Sequence, residues 1–347
     1  MICLIKVYDF FSGCGGASSG FRKAGFEIAL GIDIDNDASE TFRQNFPEAE
    51  FINEDIRNLM PEDISEYVDT ESKKLFCGCA PCQPFSKQNR NKTGEDMRIN
   101  LLDEFYRFID FYLPDYLFIE NVPGIQNFKM GGSPLESFVH KLKECGYKIK
   151  TQVIAASDFG VPQIRKRLIL IGALNKEVEF PSPTHGENRS LPETVFSDWV
   201  YDLPLLEAGE TDPEDPDHCA AALTEKNLMR IRATPEGGGR EDWIDDLKLD
   251  CHKNHIGHTD VYGRLSYDKK CSTLTTKCIS YSNGRYGHPV EDRALSVREA
   301  ACLQTFDRTF AFAGKLGSKA KQVGNAVPPL LAYNFGIVFN EMERSSD

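Results

Sequence analysis

Residues 4–16 read LIKVYDFFSGCGG, an apolar, strand-like run that ends in a glycine-rich turn. A helical pattern follows at residues 17–24, and Gly25 marks its end. Strand, glycine turn and helix in this order form the nucleotide cradle of α/β folds, because backbone N–H groups at the helix start face the ligand. A glycine-rich turn also serves simply to pack a helix closely on a strand, so this motif alone leaves both interpretations open.

Two acidic residues at predicted strand ends bear on whether the glycine turn binds a nucleotide or only packs a helix on a strand. The second strand, residues 28–32, is followed by Asp33, roughly twenty residues after the glycines, where an acid accepts hydrogen bonds from a ribose. The third strand, residues 50–53, precedes Asp55, which is placed to take the amino group of an adenine. Helix capping or solvation explains each acid equally well when it is taken alone.

A second motif, GCAPCQPFS at residues 78–86, follows the apolar run at 74–79. Pro81 and Pro84 fix their own φ and push the residue before each of them out of the helical region. Cys82 therefore lies at the end of a predicted strand, where reacting groups of α/β enzymes are found. The alternative is a small buried hydrophobe in a tight turn.

The next predicted strand, residues 116–119, ends at Glu120, which would lie beside Cys82 if the two strands are neighbours. A long antiparallel hairpin is predicted from residues 147–155 and 167–173. Its connection carries Arg165 and Arg167, which share one face of an extended segment and suit a phosphate or a carboxylate. A solvated run of charges is the alternative.

Composition limits the classes of protein that fit. The 347 residues carry a formal net charge of −13, which argues against binding nucleic acid through overall charge but not through a local basic strip. The 11 cysteines are scattered and odd in number, which favours reduced thiols and a cytoplasmic location. No signal peptide and no apolar run of membrane-spanning length are found, so no membrane partner is expected.

The composition shifts after Phe180. Residues 181–250 are rich in proline, glycine and acids, which predicts a second, smaller domain with little regular structure, and residues 262–276 alternate like paired strands. The cysteine and histidines of residues 251–258 fit no standard zinc finger, and we predict no metal. A terminal helix at 330–342 is apolar enough to dock on the first domain.

In their order, these motifs resemble those of the DNA cytosine-5 methyltransferases. Five stretches carry the resemblance: residues 11–16, 81–83, 120–122, 163–167, and the pair 298–304 with 322–329. They span nearly the whole chain and are specific together, whereas the resemblance fades at about 180–250. One departure is Phe306-Asp307, where the family usually has Phe-Pro-Asp, at a turn with no catalytic role.

The resemblance implies a Rossmann-like α/β domain that binds S-adenosylmethionine, with an antiparallel hairpin, at residues 1–180 and completed by 315–347. Residues 181–314 would form a smaller target-recognition domain, mostly irregular or β. The implied substrate is cytosine in double-stranded DNA, methylated at a specific sequence. By analogy the protein is a monomeric bacterial or phage modification enzyme, an orphan or one that shares its site with a cognate restriction endonuclease.

The resemblance also implies how the reaction runs. The Cys82 thiolate adds to carbon 6 of a flipped cytosine, which makes carbon 5 nucleophilic towards the methyl group. Glu120 holds ring nitrogen 3 and the exocyclic amine, while Arg167 holds the carbonyl oxygen and orients Glu120. Arg165 contacts a backbone phosphate or lowers the thiol pKa. The polar loop at residues 87–100 closes behind the flipped base.

The remaining site residues follow from the same resemblance, with the two acids supported by strand-end position as well. Cofactor contacts are assigned to Phe11, Gly13, Cys14, Gly16, Asp33, Asp55, Ile56, Pro81, Asn325 and Val327. DNA contacts are assigned to Gln83, Ser86 and Arg165.

Three other functions are weighed against this one. An RNA methyltransferase of the same family usually carries a Cys-Phe-Thr signature, which this chain lacks, and the long region between Arg167 and Arg298 favours a reader of duplex sequence. A catalytically dead DNA-binding regulator is disfavoured by the intact Cys82, Glu120 and Arg167. A nicotinamide oxidoreductase is disfavoured because the glycine turn lacks the full GxGxxG spacing.

Overall fold

The computed structural model describes residues 5–80, 101–123, 134–253 and 260–344. Seven strands form one sheet in these ranges: β1 Ile5–Phe10, β2 Glu27–Ile32, β3 Glu50–Ile52, β4 Lys73–Gly78, β5 Tyr116–Asn121, β6 Tyr147–Ala155 and β7 Lys166–Leu174. The strand order is β3-β2-β1-β4-β5-β7-β6. The first five strands in this order are parallel, and β7 pairs antiparallel with both β5 and β6. The predicted Rossmann-like α/β fold with an antiparallel hairpin is thus confirmed.

Helices connect the strands and continue after them. The α-helices are α1 Gly16–Lys23, α2 Asn36–Asn45, α3 Leu101–Tyr112, α4 Pro134–Glu144, α5 Ser197–Val200, α6 Glu225–Arg232, α7 Asp250–Lys253, α8 Val297–Leu303, α9 Leu316–Asn325 and α10 Pro329–Arg344. Short 3-10 helices lie at Ile56–Asn58, Pro61–Ile64, Ala156–Phe159, Arg240–Asp242, Asp245–Leu247 and Tyr281–Asn283. Within the described ranges, no helix is both long enough and apolar enough to cross a bilayer.

The chain divides into two compact units. Unit 1 comprises residues 1–159, 166–183 and 327–347, and unit 2 comprises residues 160–165 and 184–326. The bounds predicted from sequence were 180/181 and 314/315. The structure differs mainly in giving residues 160–165 and all of α9 to unit 2, so that Arg165 and Arg167 fall in different units.

Aromatic side chains fill the core of unit 1 between the sheet and α3. The ring of Phe10 lies 5.1 Å from that of Phe76 and 4.8 Å from that of Phe105, measured between centroids. A Cβ atom at Gly78 would lie 2.4 Å from the Phe105 ring, so the end of β4 accepts only glycine at this packing distance. The core therefore fixes where β1 and β4 end, which is where the predicted site residues lie.

The terminal helix α10 packs on α1 within unit 1. A Cβ atom at Gly20 would lie 2.2 Å from the carbonyl oxygen of Pro329, and one at Gly336 would lie 2.6 Å from the Cβ atom of Ala24. The Asn340 amide also donates to the Ala24 carbonyl at 2.8 Å. Small residues on both helices allow this close approach, which supports the helix that follows the glycine turn.

Unit 2 is built from short helices and irregular segments around a small core of its own, formed by Ile231, Trp243, Leu247, Tyr281 and Ala294. The predicted paired strands at residues 262–276 are wrong, because the structure has only isolated bridges there. The alternation arises from a loop that buries Leu265, Cys271 and Leu274 without a partner strand. Helices α6 and α9 were not predicted from the sequence.

Candidate active site

The predicted nucleophile, Cys82, lies outside the described residues, as do Pro81, Gln83 and Ser86. The structure describes the strand that leads to them. β4 ends at Gly78, and the Cys79 N–H donates to the Phe10 carbonyl at 3.3 Å. Two residues before Cys82, the Ala80 carbonyl accepts a hydrogen bond from the Asn121 amide at 3.3 Å. The backbone is therefore held by the neighbouring strands up to Ala80.

Asn121 is a residue whose role the sequence analysis missed, although it lies in one of the quoted stretches. Besides its bond to Ala80, its side-chain oxygen accepts the Val122 N–H at 2.7 Å. Asn121 is buried at the carboxyl end of β5. It thus ties the end of β5 to the segment that enters Cys82, and its two hydrogen bonds fix both sides of that junction.

We expect Asn121→Ala to lower kcat by about fivefold, because one hydrogen bond that positions the approach to Cys82 is worth about 1 kcal/mol. The affinity for the cofactor should not change. Asn340→Ala is the matched control, since it removes a similar amide-to-carbonyl bond, to Ala24, and neither residue is assigned a role in the site. Steady-state kinetics of both variants test this expectation, and equal kcat values in the two would refute it.

Glu120 and Arg167 form an ion pair across neighbouring strands. β5 and β7 are antiparallel here, with Glu120 opposite Ile169 and Asn121 opposite Leu168. The Arg167 Nε atom lies 2.6 Å from Glu120 Oε1, and both side chains are largely buried. Oε1 has no well-aligned hydrogen bond within the described chain, so this carboxylate keeps capacity to bind a ligand. Arg167 also donates from Nη1 to the Lys166 carbonyl at 2.8 Å, which fixes its guanidinium.

The predicted neighbourhood of Glu120 with the Cys82 segment is consistent with the sheet. β4 and β5 are adjacent and parallel, with Gly78 opposite Ile119. Carboxyl ends of adjacent parallel strands meet at one edge of a sheet, and the strand order reverses at β1 and β4. The Glu120–Arg167 pair therefore lies at the edge where α/β folds bind ligands.

The glycine turn occupies the same edge, at the end of β1. Its backbone is left-handed at Phe11, Gly13 and Gly15, with φ values of 57°, 54° and 88°. A Cβ atom at Gly15 would lie 2.4 Å from the Phe46 ring, so this position requires glycine for space as well as for φ. The Cys14 side chain points inward, and burial raises the pKa of its thiol to about 12. A ligand would therefore meet the turn through its backbone.

Asp33 joins the turn to the end of β2. Its Oδ2 atom accepts the Gly13 N–H at 2.8 Å, and its Oδ1 atom accepts the Asp35 N–H at 2.9 Å. The carboxylate is partly exposed. The structure thus places Asp33 beside the turn, where it shapes the loop, and its contact with a ribose stays a prediction.

The side chains of Asp55 and Ile56 differ in their contacts: the first is paired with an arginine and the second is buried in the core. The Asp55 carboxylate forms a bidentate pair with the Arg57 guanidinium, with Nε at 2.9 Å from Oδ1, and this pair lowers its pKa. The Ile56 side chain is buried in the core of unit 1, so a ligand contact there would involve its backbone. The proposed adenine contact of Asp55 stays a prediction, and it would have to share the carboxylate with Arg57.

Asn325 and Val327 lie where α9 ends and α10 begins, Asn325 in unit 2 and Val327 in unit 1. Asn325 is the last residue of α9 and is exposed, whereas the Val327 side chain is buried.

Arg165, in unit 2, is buried, and its guanidinium donates to main-chain carbonyls. That burial favours a structural role over the phosphate contact predicted from the sequence.

Asp9 is a second residue that the sequence analysis missed. It lies one residue before the end of β1, is 1% exposed, and its Oδ2 atom accepts the Ser18 hydroxyl at 2.6 Å. Burial raises the pKa of Asp9 to about 6. Hydrogen bonds from Ser18 and Cys77 lower this pKa, but their effect is smaller than that of burial. The signal in the sequence was an acid between Tyr8 and Phe10 in a largely apolar strand. Asp9 ties α1 to the strand beneath the glycine turn.

This raised pKa predicts a pH dependence of stability. The unfolded carboxyl loses its proton near pH 4, whereas the native one keeps it to about pH 6. The native state therefore holds the extra proton in that window, and stability falls as pH rises through it, by on the order of 3 kcal/mol. Urea unfolding of wild type and Asp9→Asn from pH 4 to 7 tests this, since the difference between the two curves should carry that slope. A pH-independent difference would contradict it.

One cluster in unit 2 has the residue types of a metal site. Ligand atoms of His288, Glu291 and Glu299 all lie within 4.8 Å of one another. The Arg293 guanidinium pairs with Glu299 at 2.7 Å and with Glu291 at 2.9 Å. Burial alone would raise the pKa of Glu299, but this guanidinium lowers it to about 2. One guanidinium therefore pairs with both carboxylates, and the cluster serves to hold α8 within its unit.

The fold and the site together define a class: a Rossmann-like enzyme with a nucleotide-type cradle and a carboxylate–arginine pair at the same edge of its sheet. A DNA modification methyltransferase encoded within an E. coli prophage has this fold, with a TM-score of 0.77 over 99% of this chain and 100% of that one, at 24% identity.

The chain belongs to the C-5 cytosine-specific DNA methylase family, whose family model matches residues 5–339. Type II methylase M.HgiDII of Herpetosiphon aurantiacus is 37% identical over 333 residues, which are 94% of this chain and 92% of the relative. Type II methyltransferase M1.HphI of Haemophilus parahaemolyticus is 33% identical over 334 residues, with coverages of 95% and 85%. The protein is an enzyme, a DNA (cytosine-5-)-methyltransferase, and the family identified from the sequence is confirmed.

Proposed function

We propose that this enzyme methylates carbon 5 of cytosine at a specific sequence of duplex DNA, through a covalent adduct between Cys82 and carbon 6 of a flipped base. The observation that carries the proposal is the Glu120–Arg167 pair, 2.6 Å apart at the carboxyl edge of the sheet. The adjacent strand, β4, ends at Gly78, four residues before Cys82 in the sequence. The named Type II relatives, similar over most of their length, support duplex DNA and a role beside a restriction endonuclease.

The residues of this chain then divide the work on the base. The Cys82 thiolate adds to carbon 6, and the Glu120 carboxyl holds nitrogen 3 and the exocyclic amine while charge shifts onto the ring. Arg167 keeps Glu120 in place and offers its guanidinium to the carbonyl oxygen of the base. Once carbon 5 carries the methyl group, loss of its proton and release of the thiolate restore the aromatic ring.

The cofactor implied by the family is S-adenosylmethionine, which supplies the methyl group when it is bound. The residues present fit it: the turn at Phe11, Gly13 and Gly16 has left-handed backbone at Phe11 and Gly13, and the partly exposed Asp33 carboxylate lies beside it. Asn325 is proposed for the methionine end. No step of the reaction proposed here involves a metal.

Partners and location follow from the same reading. We propose that the protein acts as a monomer, with unit 2 providing the residues that read the DNA sequence. We also propose a cytoplasmic location, where the cysteines of the chain would stay reduced.

The proposal is tested by methyl transfer from labelled S-adenosylmethionine to long duplex DNA of mixed sequence, followed by mapping of methylated cytosines at base resolution. We expect label on cytosines of one short motif only. Label in RNA but not in DNA would overturn the choice of substrate, and cofactor binding without any transfer would point to a silent regulator.

A further inference from the structure

Three side chains far apart in sequence form a buried polar network in unit 2. Gln163, Arg165 and Gln304 are 0%, 1% and 0% exposed. The Gln163 amide donates to the Gln304 side-chain oxygen at 2.6 Å and to the Leu303 carbonyl at 3.1 Å. Polar groups this deeply buried are costly unless they are satisfied, so such a network restricts its neighbours to one arrangement.

The network ends on the last turn of α9. The Gln304 amide donates to the Val323 carbonyl at 2.6 Å, and Arg165 donates to the carbonyls of Gly324, at 3.4 Å, and Ala326, at 3.0 Å. Carbonyls at a helix C-terminus have no partners within the helix and carry the negative end of its dipole. A guanidinium satisfies both needs, so Arg165 acts as the C-terminal cap of α9.

Arg165 also ties this helix end to the segment beside it. Its Nη1 atom donates to the Leu274 carbonyl at 3.0 Å. A Cβ atom at Gly324 would lie 2.1 Å from the Thr275 carbonyl oxygen, so helix and loop are in backbone contact at this point. The last turn of α9 is therefore held from two sides by one side chain.

Asn325 is the residue that this clamp positions. Arg165 binds the carbonyls of the residues on either side of it, Gly324 and Ala326, while the Asn325 side chain is exposed. An exposed side chain on a backbone fixed at both neighbours is a preorganised contact for a ligand. Asn325 is the residue assigned above to the methionine end of the cofactor.

We propose that Arg165 is a positioning residue for cofactor binding, which acts through the last turn of α9 on Asn325, and that it does not contact DNA phosphate. This inference rests on the proposed function, because it takes S-adenosylmethionine as the ligand of Asn325. It replaces the DNA contact predicted for Arg165 from the sequence, since a guanidinium 1% exposed that donates to three carbonyls is turned away from solvent.

The test is a double-mutant cycle between Arg165→Lys and Asn325→Ala, read out as the Kd for S-adenosylmethionine by calorimetry. A lysine keeps the charge but cannot span three carbonyls, so we expect Kd to rise about tenfold. Asn325→Ala should raise Kd by a similar factor without affecting folding, because Asn325 is exposed. The double variant should be little worse than Asn325→Ala, because Arg165 acts through that residue. Additive effects would overturn the proposal.

Two further measurements separate this role from the alternatives. The salt dependence of DNA binding should keep its slope in Arg165→Lys and in Arg165→Gln, whereas loss of a phosphate contact in Arg165→Gln would reduce the slope by about one. Arg264→Lys is the matched control, as Arg264 is buried in unit 2 and donates to the main-chain carbonyls of Ile231, Thr234 and His288, none of which belongs to α9. It should lower thermal stability and leave the cofactor Kd unchanged.

A second variant, Gln304→Met, tests the same proposal if Arg165→Lys does not fold. Gln304→Met removes a second side chain that donates to this end of α9, to the carbonyls of Val323 and Ala326, and should also raise the cofactor Kd. An unchanged Kd in a folded Gln304→Met protein would contradict the clamp. A wild-type protein that binds no S-adenosylmethionine would instead refute the proposed function itself.

Discussion

Replacing Cys82 with serine is expected to reduce methyl transfer to DNA below detection while the affinity for S-adenosylmethionine stays within about twofold. A serine hydroxyl ionises far less readily than a thiol and is a much weaker nucleophile at neutral pH, so addition to carbon 6 fails. The cofactor contacts assigned above do not include the Cys82 side chain, which is why binding should survive. Calorimetry and a transfer assay on the same preparation measure both quantities.

The control for this variant is Cys145→Ser. Cys145 lies in unit 1 after α4, where its thiol contacts the Tyr106 hydroxyl at 3.3 Å, and no proposed step uses it. Full activity in Cys145→Ser and none in Cys82→Ser would assign the effect to the nucleophile. Substantial methylation by Cys82→Ser would contradict a covalent mechanism at this residue.

The second large effect is expected for Glu120→Gln, which should lower kcat by about 10²- to 10⁴-fold, the range for loss of a positioned acid–base group. A glutamine fills the same space and can still meet Arg167 at its amide oxygen, so the protein should fold. It cannot exchange a proton with ring nitrogen 3 as the adduct forms. The loss should therefore fall on kcat rather than on the affinity for DNA.

Glu343→Gln is a matched control within unit 1. Glu343 is a largely buried carboxylate paired with Lys176 at 3.0 Å, so it reproduces the loss of a buried charge without any predicted catalytic role. We expect its kcat to equal that of wild type, with some loss of thermal stability. If both glutamine variants lost activity equally, the effect of Glu120→Gln would be one of stability and its assigned role would be wrong.

The sequence predicted the sheet and its edge well, because those features are local. Apolar runs mark the strands, and glycines at 13 and 15 allow the left-handed backbone of the turn. The acids lie just after β2 and one residue before the end of β5. The order of β4 and β5, on which the position of Glu120 depends, follows from the fold that these motifs identify. The Glu120–Arg167 pair was likewise expected from the resemblance before its geometry was known.

What the sequence could not predict depends on contacts between distant residues. Arg165 and Arg167 look equivalent in an extended segment, yet the acceptors of Arg165 lie 109, 159 and 161 residues further along the chain. No pattern near Arg165 reveals that its guanidinium turns inward. Helix α6 was missed because its sequence, EKNLMRIR, is mostly polar, and it is held by a Thr224 cap and the burial of Arg230 and Ile231.

The central claim is the covalent bond between Cys82 and carbon 6, and it is tested most directly by trapping. Duplex DNA in which 5-fluorocytosine replaces cytosine prevents loss of the proton from carbon 5, because fluorine cannot leave in its place, so the thiolate stays attached after methyl transfer. Incubated with S-adenosylmethionine and this DNA, the wild-type protein should give a stable conjugate whose digested peptide contains Cys82. A protein that methylates ordinary DNA but forms no such conjugate, or one joined through another residue, would contradict the account.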